Sequence, residues 1–256
     1  MRLEREREIG ILFIDTERNN AVNPDSIHEA NQLMDEAERD PTIRALIVTS
    51  THKSLFCPGL DFPTLMGKSR AEMAAFFQTL LGLTRRKLAY PKPEVYALNG
   101  HTLAAGAILA LTGDYRVMTN GSSFGLVEID LGIAIPRSTV AMLEHLLGSR
   151  LAERVLVGGQ RYTAEQALQL GLVDEVVERE RLVERALEHT RLLAAKPPEA
   201  YRRLRRYLRH DVADRMEALD AAHLDEFVDQ WFSEETQRQL RATLERMMSG
   251  KAAARA

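Results

Sequence analysis

A run of small residues stands where a predicted strand gives way to a predicted helix. Residues 94–98 have the apolar character of a short strand, Asn99-Gly100 is a turn signal, and a helix predicted over 104–112 is closed by Gly113. The N–H groups in the first turn of a helix have no intrahelical partner, so such a turn can bind negative charge. The same small residues would also suit a core helix that only packs tightly against a sheet, and both interpretations stay open.

A second stretch has the same organisation. Residues 44–50 form an apolar, β-branched run that predicts a buried strand, and Phe-Cys-Pro-Gly-Leu-Asp at 56–61 follows as a tight loop. One N–H group from each of the two loops could point at a single oxygen. That is the geometry of an oxyanion hole, which stabilises negative charge developing on a carbonyl oxygen.

These residues resemble a known family. The loop at 56–61, followed by Asn-Gly-His-Thr-Leu-Ala-Ala-Gly at 99–106, is similar to the motifs of the enoyl-CoA hydratase/isomerase (crotonase) superfamily. The resemblance covers nearly the whole chain. It implies an acyl-CoA thioester as substrate, with the N–H groups of Leu60 and Ala105 as oxyanion donors. Ala105 stands where the family usually has glycine.

Glu128 is the candidate catalytic base. It interrupts an apolar run over 124–135, where burial would raise the pKa of a carboxylate toward that of a useful base. From the residues alone, a strand-edge glutamate facing water is favoured. The resemblance implies instead that Glu128 is the second catalytic glutamate of the hydratases, in a Phe-Gly-x-x-Glu-Ile context. Asp130 is the alternative base.

The resemblance also indicates which reaction to expect. The position of the first hydratase glutamate is Ile108, which cannot transfer a proton. In this family hydration uses two carboxylates, whereas moving a double bond needs one base that takes a proton from C2 and returns it at C4. Isomerisation is therefore favoured, and residues 105–116, 128–136 and 227–246 are similar to the mitochondrial-type Δ3,Δ2-enoyl-CoA isomerases.

Three other functions remain open. They are a hydratase working with Glu128 alone, a thioester hydrolase, and a non-catalytic acyl-CoA-binding protein. Asp61 or Glu72 could also bring a second carboxylate to the site.

The resemblance further implies that both loops and their neighbours contact the acyl thioester. The expected substrate-binding residues are Phe56, Cys57, Pro58, Gly59, Asp61, Leu65, Leu103, Ala104, Ile108 and Pro136. Residues 63–88 predict one or two helices over the site. Their apolar stripe suits either ordinary core or an acyl-chain pocket, and it consists of Met66, Met73, Phe76, Phe77, Leu80 and Leu81. We expect no cofactor except coenzyme A as part of the substrate, and the histidines and the lone cysteine have no metal-ligand spacing.

Residues 121–125 match the Gly-x-Ser-x-Gly elbow of serine hydrolases. An elbow serine sits between a strand and a helix, whereas Ser123 is followed by Gly125 and another apolar stretch. We therefore do not expect Ser123 to be a nucleophile.

The amino-acid composition makes several classes of function unfavourable. The chain has 256 residues and a formal net charge of -3, so it has no overall drive toward nucleic acid or an anionic membrane. The single cysteine, Cys57, excludes an internal disulfide and fits a reducing compartment. No run approaches the roughly eighteen apolar residues of a membrane span, and the first residues are charged. We expect a cytoplasmic protein.

The predicted elements indicate an α/β fold, and the resemblance implies a crotonase-type spiral of repeated strand-strand-helix turns. Ser26 with Glu29 predicts a capping box for the first helix. Lys196-Pro197-Pro198 is the strongest signal of a domain boundary in the sequence. It divides an acyl-CoA-binding core, residues 1–196, from a C-terminal helical oligomerisation segment, residues 197–256.

The C-terminal segment has two apolar patterns. Tyr201, Leu204 and Leu208 form one stripe, and the residues around them are basic, namely Arg202, Arg203, Arg205, Arg206 and Arg209. A basic helix can bind nucleic acid or phosphate, but a solvated or intersubunit face is favoured. Phe227 and Trp231 belong to a final amphipathic pair of helices that we expect to dock on a neighbouring subunit. The resemblance implies a homotrimer or a dimer of trimers.

Overall fold

The computed structural model describes residues 1–17 and 19–253. The strands are β1 Arg2–Glu6, β2 Ile9–Ile14, β3 Ala45–Ser50, β4 Leu55–Cys57, β5 Glu94–Leu98, β6 His101–Leu103, β7 Tyr115–Thr119, β8 Ser123–Gly125, β9 Tyr162–Thr163 and β10 Glu175–Val177. The helices are α1 Pro24–Arg39, α2 Phe62–Leu65, α3 Arg70–Leu88, α4 Ala105–Leu111, α5 Arg137–Leu147, α6 Ser149–Gly158, α7 Ala164–Gln169, α8 Leu182–Ala194, α9 Pro198–Trp231 and α10 Glu234–Ala253. Short 3-10 turns cover Glu128–Leu131 and Arg179–Arg181.

The chain winds through repeated strand-strand-helix turns. Each of three turns gives its first strand to a large sheet, ordered β1-β2-β3-β5-β7-β10, and its second strand to a small sheet, ordered β4-β6-β8-β9. Because β4, β6 and β8 run parallel, their carboxyl ends meet at one edge of the small sheet. The loops at 56–61 and 99–106 are thereby brought together with the chain that follows β8.

Most predicted elements are present, with three differences. The charged residues of β1 form an antiparallel edge strand that the sequence did not indicate. β6 and β8 have three residues each, too few to show a strand period. The cap of α1 is Asn23 with Ser26, not Ser26 with Glu29, because Pro24 begins the helix one turn earlier than predicted.

The C-terminal helices fold back on their own chain. α9 packs against α3 and α5, and α10 lies against the 3-10 turn at Glu128–Leu131. Trp231 is 2% exposed and packs against Phe62 and Phe77, with ring centroids 6.4 and 5.3 Å away. The prediction that Trp231 faces a neighbouring subunit is therefore wrong. The last three residues of the predicted segment, 254–256, lie outside the described residues.

The first half of α9 buries arginines rather than its apolar stripe. Arg205 forms an ion pair with Asp114 and donates to the Thr112 carbonyl, 3.3 Å away, while Leu204 and Leu208 are exposed. The prediction that Arg205 lies on a solvated or intersubunit face is wrong. Its physical reason is that Asp114 and the carbonyl at the end of α4 supply acceptors that a leucine could not use.

Within the described residues, no helix has both the length and the apolar character required to cross a bilayer.

Candidate active site

A cavity of about 810 Å³ opens at the carboxyl ends of β4, β6 and β8. Most predicted site residues line it, namely Pro58, Leu60, Asp61, Leu103, Ala104, Ala105, Ile108, Glu128 and Pro136. Others lie outside the lining, namely Phe56, Cys57, Gly59 and Leu65. Phe56, Cys57 and Leu65 are at most 3% exposed and belong to the core behind the cavity wall. Their predicted contact with substrate stays a prediction, and the structure places these three side chains behind the cavity wall.

The backbone around Leu60 directs its N–H group toward the second loop. Val22 donates to the Gly59 carbonyl at 2.8 Å, and Asp61 donates to the Val22 carbonyl at 2.9 Å. Peptide groups alternate in direction along extended chain, so the N–H of Leu60 points away from Val22. Among the described residues, no group accepts a hydrogen bond from the N–H of Leu60 or of Ala105.

Small residues let the two loops meet. A Cβ atom added at Gly59, where φ is +107°, would lie 2.8 Å from the Ala104 Cβ and 3.8 Å from the Ala105 nitrogen. A Cβ added at Gly106 would lie 2.6 Å from the Cys57 Cβ. Glycine at both positions thus permits an approach that any larger side chain would block. Leu60 and Ala105 consequently line the same cavity.

Ala104, directly before α4, has strained backbone. Its φ of +50° and ψ of -128° lie in a region that residues with a Cβ rarely adopt. Its own N–H donates to the Gly125 carbonyl at 2.8 Å, so the strained residue is tied to the end of β8. This conformation turns the chain from β6 into α4, whose first residue, Ala105, lines the cavity.

Glu128 begins the 3-10 turn after β8 and lines the cavity. Its Oε2 atom is buried and has no hydrogen-bond partner among the described residues. Burial, only partly offset by backbone hydrogen bonds, raises the pKa of Glu128 from 4.5 to about 7. A carboxyl group with this pKa can both accept and return a proton near neutral pH.

Other carboxylates considered from the sequence are not equivalent to Glu128. Asp130 is exposed and does not line the cavity, because the chain forms a 3-10 turn here and not a continued strand. Glu72 is exposed and completes the capping box of α3 with Ser69. Asp61 lines the cavity and caps α2, with its Oδ2 accepting from the Thr64 hydroxyl at 2.6 Å.

Ile108 lies one turn into α4 from Ala105 and lines the same cavity. It is 9% exposed, so an apolar side chain occupies this part of the cavity wall, at the position that the resemblance gives to the first hydratase glutamate. The stripe on α3 contributes Phe77, Leu80 and Leu81 to the cavity, as one of the two predictions for that stripe required.

Several lining residues were not found from the sequence. Phe227 of α9 and Thr243 of α10 close one side, and Phe227 contacts Phe77 with ring centroids 4.6 Å apart. The exposed residues Glu17 and Arg161 lie at the rim. The apolar pattern of the C-terminal helices was the available signal for Phe227, but it does not reveal which surface covers it.

Ser123 is not arranged as an elbow nucleophile. It lies on β8, its Oγ is 2.8 Å from His101 Nδ1, and it does not line the cavity. In the part of the chain that the structure describes, no cluster of three or more histidine, cysteine or acidic side chains could hold a metal ion.

A family model and individual relatives of this chain point to the same family. The Enoyl-CoA hydratase/isomerase family matches residues 6–249. Human mitochondrial enoyl-CoA delta isomerase 1 is 31% identical over 239 residues, which are 91% of this chain and 79% of the relative. A short-chain-enoyl-CoA hydratase from Clostridium acetobutylicum is 29% identical over 201 residues, 77% of this chain and 76% of the relative.

The fold is also shared with solved structures. The crystal structure of human mitochondrial Δ3-Δ2-enoyl-CoA isomerase matches with a TM-score of 0.94 and 29% identity, covering 97% of this chain and 98% of that one. The predicted crotonase-type α/β fold and the predicted family resemblance are confirmed. The chain belongs to the enoyl-CoA hydratase/isomerase family.

Proposed function

We propose that the protein is an enoyl-CoA isomerase that moves a double bond of an acyl-CoA thioester from C3 to C2. The observation that carries this proposal is the carboxyl of Glu128, whose buried Oε2 has no partner among the described residues, in a cavity that Leu60 and Ala105 also line. No backbone acceptor is found in the described residues for the N–H groups of Leu60 and Ala105, and Ile108 stands at the position that the resemblance gives to a second acid. A double-bond shift needs a single base that both removes and returns a proton.

Glu128 takes a proton from C2 of the 3-enoyl thioester, and the electron pair of that C–H bond moves into the thioester to form a dienolate. The N–H groups of Leu60 and Ala105 donate to the enolate oxygen. The dienolate then takes the same proton from Glu128 at C4, which leaves the double bond between C2 and C3. Each N–H donor is worth about 3 kcal/mol of transition-state stabilisation by comparison with other oxyanion holes.

The reaction needs no group beyond the substrate and the protein. Coenzyme A is part of the thioester, and the two N–H groups supply the charge stabilisation. The apolar wall formed by Phe77, Leu80 and Leu81 suits an acyl chain.

The direct test is an ultraviolet assay with trans-3-hexenoyl-CoA, in which isomerisation produces a conjugated enoyl thioester. We expect Glu128→Gln to lower turnover by about 10²–10⁴-fold, the usual contribution of a general base, while acyl-CoA binding stays within a few-fold of wild type. Asp130→Asn is the matched control, because it removes a carboxylate from the same 3-10 turn outside the cavity. Turnover retained in Glu128→Gln would refute the assignment.

Hydration is the second candidate, since the Clostridium acetobutylicum relative is a short-chain-enoyl-CoA hydratase of similar identity. Crotonyl-CoA run in parallel separates the two reactions. Loss of the conjugated absorbance with formation of 3-hydroxyacyl-CoA indicates a hydratase working with Glu128, and release of free thiol indicates a thioester hydrolase. Binding without turnover of either substrate indicates a non-catalytic acyl-CoA-binding protein.

We also propose a homotrimer or a dimer of trimers. Leu204, Tyr207 and Leu208 of α9 are 60%, 65% and 67% exposed, and a face of this kind is suited to burial between subunits. Sedimentation velocity measures the mass in solution, and a monomer at micromolar concentration would contradict this proposal.

A further inference from the structure

The 3-10 turn that carries Glu128 ends at Leu131 and is followed by Gly132, in left-handed backbone with φ of +69°. The peptide group that joins Gly132 to Ile133 is hydrogen-bonded at both ends. Its N–H, on Ile133, donates to the carbonyl of Glu128 at 3.1 Å. This single peptide group therefore bonds directly to the backbone of the candidate base.

The carbonyl of the same peptide group is held by the C-terminal helices. Gln230, near the end of α9, donates from Nε2 to the Gly132 carbonyl at 2.7 Å. Thr236, in the first turn of α10, donates from Oγ1 to the same oxygen, also at 2.7 Å. A carbonyl oxygen has two lone pairs, so these two side chains use its full accepting capacity.

The corner between α9 and α10 is itself well fixed. Thr236 is 1% exposed, and its Oγ1 also accepts from the Ser233 hydroxyl at 3.0 Å. Gln237 donates to the Trp231 carbonyl at 2.8 Å, and Trp231 is buried in the core. The donors that hold the Gly132 carbonyl thus belong to an anchored element.

The turn also packs closely on its neighbours. A Cβ added at Gly132 would lie 3.5 Å from Gln239 of α10, and one added at Gly159 would lie 2.6 Å from the Ile129 side chain. The backbone around Glu128 is therefore confined between α10 and the end of α6. The hydrogen bonds to the Gly132 carbonyl then fix where this backbone lies between α10 and the end of α6.

We propose that Gln230 and Thr236 are positioning residues for Glu128, acting through the peptide group between Gly132 and Ile133. This inference rests on the function proposed above, in which Glu128 must reach both C2 and C4 of the substrate. A displacement of about 1 Å in a catalytic group can cost about 100-fold in rate, so the corner of the C-terminal helices sets the efficiency of proton transfer without touching substrate.

The test compares variants that lose a hydrogen bond to the Gly132 carbonyl with a variant that loses a hydrogen bond to the Trp231 carbonyl. Thr236→Val removes the hydroxyl but keeps the side-chain shape, and Thr236→Ser restores a hydroxyl. Gln237→Met is the matched control, because it removes a side-chain donor from the same corner that bonds to Trp231 and not to Gly132. Gln230→Met removes the second donor and serves in place of Thr236→Val if that variant does not fold.

We expect Thr236→Val and Gln230→Met to lower kcat by about 10- to 100-fold with KM within about twofold of wild type. Thr236→Ser should recover most of kcat, and Gln237→Met should keep wild-type kcat even where its Tm falls. Equal kcat in Thr236→Val, Gln230→Met and Gln237→Met, with Glu128→Gln inactive, would overturn the positioning role and leave the proposed base intact. Wild-type turnover in Glu128→Gln would instead overturn the proposed function, and the inference with it.

Discussion

Replacing Glu128 with glutamine is expected to make the protein more stable at alkaline pH while removing its activity. Burial raises the pKa of Glu128 from 4.5 to about 7, and unfolding returns the carboxyl to water and to its ordinary pKa. Between these two pKa values the native protein holds a proton that the unfolded chain has released. The stabilising effect of this proton is complete below pH 4.5 and is lost as the pH rises through about 7.

The magnitude follows from the two pKa values. Each pH unit between them changes the free energy of unfolding by about 1.4 kcal/mol, so ionisation of Glu128 costs up to about 3 kcal/mol at pH 8 relative to pH 4.5. Glutamine has a similar shape and no charge at either pH. The stability of Glu128→Gln relative to wild type should therefore rise by about 3 kcal/mol between pH 4.5 and pH 8.

Urea denaturation at a series of pH values measures this difference. Trp231 is the single tryptophan and is 2% exposed, so its fluorescence reports unfolding. Asp130→Asn is the control. Because the Asp130 side chain is exposed, the stability of this variant relative to wild type should not rise comparably between pH 4.5 and pH 8. Wild-type kcat should increase with pH through a midpoint near 7, where the basic form of Glu128 appears.

One result would refute this reasoning. If wild type and Glu128→Gln lose stability in parallel from pH 4.5 to pH 8, the carboxyl ionises in the native protein as it does in water. Glu128 would then not be a desolvated base.

Three further substitutions test the cavity wall and the turn before α4. Ile108→Glu adds a carboxyl at the cavity position that the resemblance gives to the first hydratase glutamate, so we expect 3-hydroxyacyl-CoA from crotonyl-CoA above the wild-type level. An unchanged ratio of hydration to isomerisation would contradict the role given to this position. Ala104→Gly removes the strain at φ +50° and should raise the free energy of unfolding by about 1 kcal/mol in urea titrations, and a loss of stability would argue against that strain. Gly106→Ala brings a Cβ to 2.6 Å from the Cys57 Cβ and should lower stability by about 1–3 kcal/mol, whereas a neutral effect on Tm would show that the two loops do not meet so closely.

Much of the fold can be predicted from local patterns in the sequence. The apolar runs of β3 and β5, the capping box of α7 at Thr163, and the proline boundary before α9 each depend on residues close together in the chain. The three-residue strands of the small sheet could not be predicted in this way, because they are held by pairing with distant strands and have no period of their own.

The residues of the candidate site also differ in whether local sequence can predict them. The motifs predict the two loops, and the family resemblance predicts Glu128 as the base. Phe227 and Thr243 cannot be assigned to the cavity from local sequence, because they lie 99 and 115 residues after Glu128 in the chain. The sequence pattern predicts a surface position for the buried Arg205, because its acceptors at Thr112 and Asp114 also lie far away in sequence.

The sequence by itself determined which groups are available: small residues that expose N–H groups, one carboxyl in an apolar run, and isoleucine where a second acid would stand. Only the tertiary structure decided that Leu60 and Ala105 line one cavity and that the carboxyl of Glu128 is withdrawn from water. The physical reason is that residue types and local backbone follow from neighbours in the chain. Desolvation depends on what covers a group, and here α9 and α10 fold back from the far end of the chain to cover it.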